Sequence, residues 1–557
     1  GLNTTFIEGM PQPGPIGFVS QSGGVCGAAI DYFHGQGIGF SKFVSLGNQA
    51  DVSETDVIDF LADDPATRVI AVYVEGINNG RRFMEVARRV TRRKPVVLLK
   101  AGRTRAGEFA VSSHTGAMAG SLDAYRAALR QCGVIQASSM GELFDVALAL
   151  AFQPPPAGER VFVLSNSGGP AALTADHLSE LGVALPALSP QVEASLREGL
   201  DPAVQFGNPI DMLGGAGPDE YEFALPVLLS DPAFDTLLVI LVPHLLLNPT
   251  ETARRIGRVA RHARKPLLTC FVGGDSVTEA RQILHRQHIP MYALPESACR
   301  AAAALGRYGG WRNSPRPGNG RYAPAVDAEA VERLLAEAGS TRCLGEAATR
   351  PVLRAYGIPV VPGDVARTEA EAVALAGRLG YPAALKIVSP GVLHKTEADG
   401  IRLNLADGPA VAAAFRDLWQ SVPGASGVLV ESMAPAGPDV IVGMRRDPQF
   451  GPLLMVGLGG IYVELLTDVA FRVAPVEFAE ALAMLNETKA GRLLAGWRGQ
   501  SAADTGAVAA ALVQLGRLTL DFPQIQEIEI NPLRVLPQGA LALDGRIVLS
   551  PEGENSE

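Results

Sequence analysis

The sequence predicts an α/β protein: two parallel-sheet domains in tandem, then a domain of α+β character. Three observations carry this. Through residue 308, short apolar runs alternate with amphipathic helical stretches, as in parallel α/β layers. "IGFVSQSGGVCGAAIDY" (16–32) recurs in logic as "RVFVLSNSGGPAALTAD" (160–176): an apolar strand, Ser-x-Ser-Gly-Gly, then a helix of small residues. Beyond 325 the order changes to helices first and alternating strands later.

The first half is expected to supply strands at "IGFVS", "FSKFVSLG", "VIAVYVEG" and "PVVLLKAG", the second at "RVFVLSNSG", "TLLVILVP" and "KPLLTCFVGG". Each is nearly continuously apolar, which fits sheets covered by helices on both faces. The Pro/Gly-rich stretches "QPPPAGER" (153–160) and "YGGWRNSPRPGNGRYAP" (308–324) punctuate the chain. They delimit domains at 15–152, 158–308 and 325–557, with 1–14 and 309–324 as linkers. The third segment opens with the helices "DAEAVERLLAEAG" and "GEAATRPVLRAYG". Strands "PAALKIV", "GVLVESM", "DVIVGMRRD" and "PLLMVGLGG" follow, and the end "IQEIEINPLRVLPQGALALDGRIVL" alternates like antiparallel strands around a turn.

Composition narrows the function. The chain has 557 residues, 47% hydrophobic and 19% charged, a globular balance. A net charge of −10 without a basic tract argues against nucleic-acid binding. Five scattered cysteines, none in a C-x-x-C pair, argue against a disulfide framework and favour a reducing, cytoplasmic setting. No signal-peptide pattern opens the sequence. The longest apolar run, "TLLVILVPHLLL" (236–247), falls short of the ~20 residues that span a bilayer and reads as a buried strand ending in a loop. His285 and His288 read as a solvated helix face rather than a metal pair.

Four constellations carry chemistry. The first is the paired helix starts, Ser22-Gly23-Gly24 and Ser167-Gly168-Gly169. Unsatisfied N–H groups at a helix N-terminus, approached through glycines, bind anions. One such start alone reads first as a tight strand-to-helix turn; two copies, each after a strand, make a shared phosphate site more credible. The second is Glu75, which closes the strand "AVYVEGI". A carboxylate there could orient the ring of His114 in "SSHTGAMAG" and make one nitrogen more nucleophilic. The third is Lys386 in "PAALKIV", placed to reach nucleotide phosphates, followed by His394-Lys395-Thr396 in a loop. The fourth is Glu529, Asn531 and Asp544, expected on facing strands of a hairpin, where hard oxygen ligands suit Mg²⁺ bridging phosphates. Each of the last three reads equally well as a polar surface when taken alone.

Taken together, the motifs resemble a known family. "GFVSQSGG", "VSLGNQADV", "LADDPAT", "YVEGI", "LLKAGRT", "SSHTGAMAG", "SNSGGPA" and "NPIDM" are similar to those of the NDP-forming acyl-CoA synthetases, relatives of succinyl-CoA synthetase. "LRAYGIPVVP", "LGYPAALKIVSPGVLHKTEADG", "FGPLLMVGLGGIYVELLTDVAFRVAP" and "EIEINPL" resemble the ATP-grasp part of that family. The resemblance spans essentially the whole chain. It implies two flavodoxin-like domains of the succinyl-CoA synthetase type followed by an ATP-grasp domain. The implied reaction turns a carboxylic acid, CoA and ATP into acyl-CoA, ADP and phosphate through an acyl phosphate and a phosphohistidine.

The resemblance also implies roles. His114 is the phosphorylated histidine, Glu75 its steadying carboxylate and His394 a second phosphate carrier. Both Ser-Gly-Gly starts bind phosphate. Lys386, Glu431 and Asp439 serve ATP, while Asn531 and Asp544 lie on the Mg²⁺ side. Two departures stand out. The linker 1–14 would follow a CoA-binding domain, either absent from this sequence or carried by another chain. Asp439 and Ala398 also replace the family's usual glutamate and glycine. Expected partners are the acid, CoA and nucleotide, in a homo-oligomer (a dimer), with neither nucleic acid nor membrane. Two alternatives remain at this point: a non-catalytic sensor of nucleotide or acyl-CoA, and another ATP-grasp ligase.

Overall fold

The computed structural model describes residues 12–104, 106–107, 121–245, 247–314, 325–339, 341–389, 399–422, 424–460, 468–496, 498 and 501–550. Contacts divide the chain into two compact units, one holding two parallel sheets and the other two antiparallel sheets.

In the first unit, strands β1 (Pro13–Ser20), β2 (Phe40–Ser45), β3 (Val69–Val74), β4 (Val96–Lys100) and β5 (Ile135–Ala137) form one sheet in the order β2-β1-β3-β4-β5. Strands β6 (Val161–Ser165), β7 (Ile210–Asp211), β8 (Thr236–Leu241), β9 (Leu267–Phe271) and β10 (Met291–Tyr292) form the second, in the order β10-β9-β8-β6-β7. Counted from its own first strand, each sheet reads 2-1-3-4-5, the flavodoxin-like order. The repeat seen at Ser-x-Ser-Gly-Gly is therefore a repeat of the whole topology. Strands β4, β6, β8 and β9 are buried along their full length, as their continuous apolar runs require. Strands β5, β7 and β10 have two or three residues each, too few to show a period, and the sequence pattern misses them.

The two sheets share one core. Helix Met140–Phe152 and the alanine-rich helix Pro295–Asn313 pack on each other, with Val97 and Leu99 of the first sheet and Val163, Leu238 and Ile240 of the second in the same apolar cluster. His285 belongs to this packing, which corrects the solvated-face expectation. It is 4% exposed; its Nδ1 lies 3.0 Å from the Gln36 carbonyl and its Nε2 accepts from Met291 N. His288 is exposed and lies beyond the end of the helix Thr278–Arg286.

In the second unit, strands β11 (Cys343–Leu344), β16 (Asp439–Asp447), β17 (Gly451–Leu458), β18 (Val469–Val473), β19 (Ile525–Val535), β20 (Ala540–Ala542) and β21 (Gly545–Leu549) form an antiparallel sheet. Helix Thr505–Asp521 covers it with Leu512, Leu515 and Leu518. A smaller antiparallel sheet runs β12 (Gly363–Ala366), β15 (Gly427–Ser432), β13 (Ala383–Val388), β14 (Ile401–Leu405), backed by helices Glu369–Leu379 and Gly408–Ser421. Asp544 sits in the corner before β21 rather than on a strand facing Asn531. The backbone still joins them, because Asn531 N donates to Asp544 O at 3.2 Å.

Candidate active site

In the first unit, β1 ends at Ser20 and helix Gly23–Gln36 begins almost at once. The Ser20 hydroxyl braces the turn, donating to Ser22 O (2.9 Å) and accepting from Ser22 N (3.0 Å). Ser22 is the N-cap, its Oγ accepting from Val25 N at 3.4 Å. A Cβ on Gly24 would meet nothing nearer than Ser22 Oγ at 4.0 Å, so the approach to the helix end is open. With no acidic residue in its first turn, the helix leaves its positive end unopposed.

Gln21 ties this turn to the neighbouring strand. Its Oε1 accepts from the N–H groups of Glu75 (2.5 Å) and Gly76 (3.2 Å), and its Nε2 donates to Gly76 O at 2.7 Å. The structure thus brings Ser22–Gly24 and the half-buried Glu75 together. Burial first, and then the charge of Glu75, push the Tyr73 phenol up. His114 and His394 lie outside the described residues.

Ser167–Gly169 occupy the equivalent edge of the second sheet. Ser165 repeats the brace of Ser20, at 2.9 and 3.0 Å to Ser167 O and N. Ser167 makes no side-chain cap, and a Cβ on Gly168 would come within 2.9 Å of Asp211 Oδ2. The Asp211 carboxylate therefore stands beside this second helix start.

In the second unit a buried charged quartet joins the two sheets. Lys386 Nζ lies 2.8 Å from both Glu346 Oε1 and Glu431 Oε2 and donates to the Leu543 carbonyl, next to Asp544. Arg350 pairs with Glu431 and donates to the Val361 carbonyl, with Glu346 at 3.6 Å. These four residues are only 2–8% exposed (Glu431 lowest, Lys386 highest), so each charge depends on the others. Burial lowers the Arg350 pKa, opposed mainly by Glu346. Asp439 lies on the larger sheet, held by Arg534 at 2.8 and 2.9 Å, while its carbonyl accepts from Gly459 N. Asn531 Oδ1 accepts from Gly460 N at 3.0 Å. Asp439 and Asn531 therefore both hold the "GLGG" turn, while Lys386 and Glu431 belong to the quartet.

Comparison with known proteins decides the lineage. The chain is 42% identical over 99% of its length, and 80% of the relative's, to the acetate–CoA ligase [ADP-forming] I of Archaeoglobus fulgidus. The chain belongs to the ADP-forming acyl-CoA ligase family. Family models for a succinyl-CoA ligase-like flavodoxin domain, a ligase-CoA domain and an ATP-grasp domain match residues 13–150, 161–316 and 334–549. Another member of this ligase family, the 4-hydroxybutyrate–CoA ligase [ADP-forming] of Nitrosopumilus maritimus, is 35% identical over 98% of this chain and 80% of its own. A solved structure of the dinucleotide-forming acetyl-coenzyme A synthetase 1 of Ca. Korarchaeum cryptofilum, in complex with phosphate and ADP, matches 56% of this chain and 68% of that one. Its sequence identity is 38% and its TM-score 0.54. Among the described residues no helix is long and apolar enough to cross a membrane.

Sequence reasoning missed Gln21, Asn166, Glu54, Glu346 and Arg350. Gln21 and Asn166 were visible as the one variable letter of Ser-x-Ser-Gly-Gly, an amide both times. Glu346 and Arg350 stand at i and i+4 of a predicted helix, an acid–base spacing that marks a shared face.

Proposed function

We propose that the protein is an acyl-CoA synthetase that converts a carboxylic acid, CoA and ATP to acyl-CoA, ADP and phosphate. The observation that carries this reading is the pairing, on one chain, of an open helix start tied to Glu75 with a lysine in a buried charged cluster of an ATP-grasp domain.

A carboxylate is a poor acyl donor until it is phosphorylated. In this reading Lys386 meets the nucleotide phosphates, with Glu431 and Asp439 lining the site. His114 attacks the γ-phosphorus, the bond to ADP breaks, and the phosphoryl group rests on the ring. Glu75 holds the opposite ring nitrogen, and the helix starts at Ser22–Gly24 and Ser167–Gly169 bind the transferred group. The acid's carboxylate then takes the phosphoryl group, freeing His114. Attack of the CoA thiolate on the acyl carbon expels phosphate. His394 is assigned as a second carrier on the ATP-grasp side.

Asn531 and Asp544 supply an amide oxygen and a carboxylate joined through their backbone. That hard, sparsely charged donor set fits Mg²⁺ held mainly by phosphates. The ion, when bound, offsets phosphate charge.

Incubation with [γ-³²P]ATP and Mg²⁺ should label the protein in an acid-labile, base-stable form, and the label should disappear when His114→Ala and His394→Ala are combined. Nucleotide binding without any phosphoenzyme would point to a sensor and refute the reading.

A further inference from the structure

We infer that Gln21 is the positioning residue for Glu75, and that the buried carboxylate of Glu54 sets the direction in which the Gln21 amide points. The inference rests on the reading that Glu75 serves the phosphorylated histidine.

The orientation follows from donors and acceptors. Gln21 Oε1 accepts two backbone N–H groups, those of Glu75 and Gly76. Its Nε2 must then face acceptors, and it does: Gly76 O at 2.7 Å and Glu54 Oε2 at 3.5 Å. The reversed amide would set N–H against N–H and oxygen against a carbonyl and a carboxylate. Glu54 is 1% exposed at the start of helix Glu54–Asp63. Its Oε2 also accepts from Gln49 Nε2 and its Oε1 from the Thr55 hydroxyl at 2.9 Å. Gln49 has φ +54°, a left-handed conformation uncommon for a non-glycine residue. One buried carboxylate therefore gathers two amides at the same edge of the sheet.

The second half of the unit supplies an internal control. Asn166, the counterpart of Gln21, accepts from Val242 N (2.8 Å) and donates to Val242 O (3.0 Å). Ser20 pairs with Tyr73 and Ser165 with Ile240, so Val242 occupies the place of Glu75. The amide brace belongs to the fold. Where the braced residue is Val242, the amide bonds nothing else among the described residues. Where it is Glu75, the amide is longer, grips two peptide N–H groups and is backed by Glu54. The turn Ser20–Gly24 and the Glu75 backbone thus move as one piece, which fixes the anion site relative to the carboxylate.

The test compares Gln21→Met, Glu75→Gln and the double variant in the full chain, reading phosphoenzyme formation, KM for ATP and melting temperature. Gln21→Met should slow labelling about tenfold, the loss expected for a hydrogen bond or two, with KM for ATP unchanged. In the Glu75→Gln background it should add nothing, because both substitutions remove the same contribution. Additive effects, or labelling within about twofold of the parent while Glu75→Gln abolishes it, overturn the inference. Full labelling in Glu75→Gln removes the role of Glu75 itself, and the inference falls with it by a distinct result. If Gln21→Met does not fold, Gln21→Glu carries the test. Facing Glu54 and Glu75, it should be impaired at neutral pH and recover as the pH falls, since a protonated carboxyl again offers one donor and one acceptor. A flat pH profile for that variant, relative to the parent, overturns the inference.

Discussion

Lys386→Met separates what the buried quartet does for the fold from what it does for the nucleotide. The ammonium contacts two carboxylates and one carbonyl, and its loss leaves Arg350 as the cation paired with Glu346 and Glu431 among the described residues. Removing one partner from a buried ion cluster costs about 3–5 kcal/mol. Arg350 still touches both acids, which puts the expected cost near the lower end, about 3 kcal/mol. Under native conditions that corresponds to roughly 100-fold faster amide exchange in β13 and β15, measured by mass spectrometry. Replacing Glu431 with Gln as well restores charge balance, so Lys386→Met/Glu431→Gln should exchange more slowly than the single variant. Both should fail to bind Mg-ADP in calorimetry. Unchanged exchange in Lys386→Met, or a double variant worse than the single, would refute the electrostatic account.

Three further outcomes follow from the same structure. Gly24→Ala places a methyl in open space and should alter stability by no more than about 0.5 kcal/mol while lowering the phosphoenzyme level, because the methyl stands where an anion approaches. Gly168→Ala should cost about 1–2 kcal/mol in chemical denaturation, since its Cβ would meet Asp211 Oδ2 at 2.9 Å, and Asp211→Ala should relieve it. Burial holds the His285 pKa below its ordinary 6.5, so the unfolded ring binds a proton more readily than the folded one. Stability from this residue is complete above that value and is lost as the pH falls below it. The melting temperature of the parent should therefore drop more steeply from pH 7.5 to 5.5 than that of His285→Gln.

Much of this architecture was legible because burial on both faces leaves a continuous apolar signature, as in β8 and β9. The tandem repeat was legible because a tight strand-to-helix turn with an open helix start tolerates few residues besides serine and glycine. What escaped was non-local. Nothing in "LGNQADVSETD" announces that Glu54 is buried, because its partner Gln21, 33 residues away, reaches it only after the sheet assembles. Lys386 stood out in its strand, but its engagement by Glu346 and Glu431 depends on a neighbouring strand and on the helix Glu346–Ala355, both distant in sequence. His285 misled for the same reason: its helix spacing looks exposed, yet the Gln36 carbonyl from a distant helix covers it.

The core shared by Met140–Phe152 and Pro295–Asn313 limits where this chain can be cut. A break in "QPPPAGER" looks safe by composition. It would strip from the first half the helix that covers Val146, Leu148 and Leu150, leaving a sticky fragment instead of a domain. Gene fission can separate functions cheaply only where no apolar interior must be torn in two, so the twin flavodoxin-like halves are expected to be inherited, expressed and engineered as a single block.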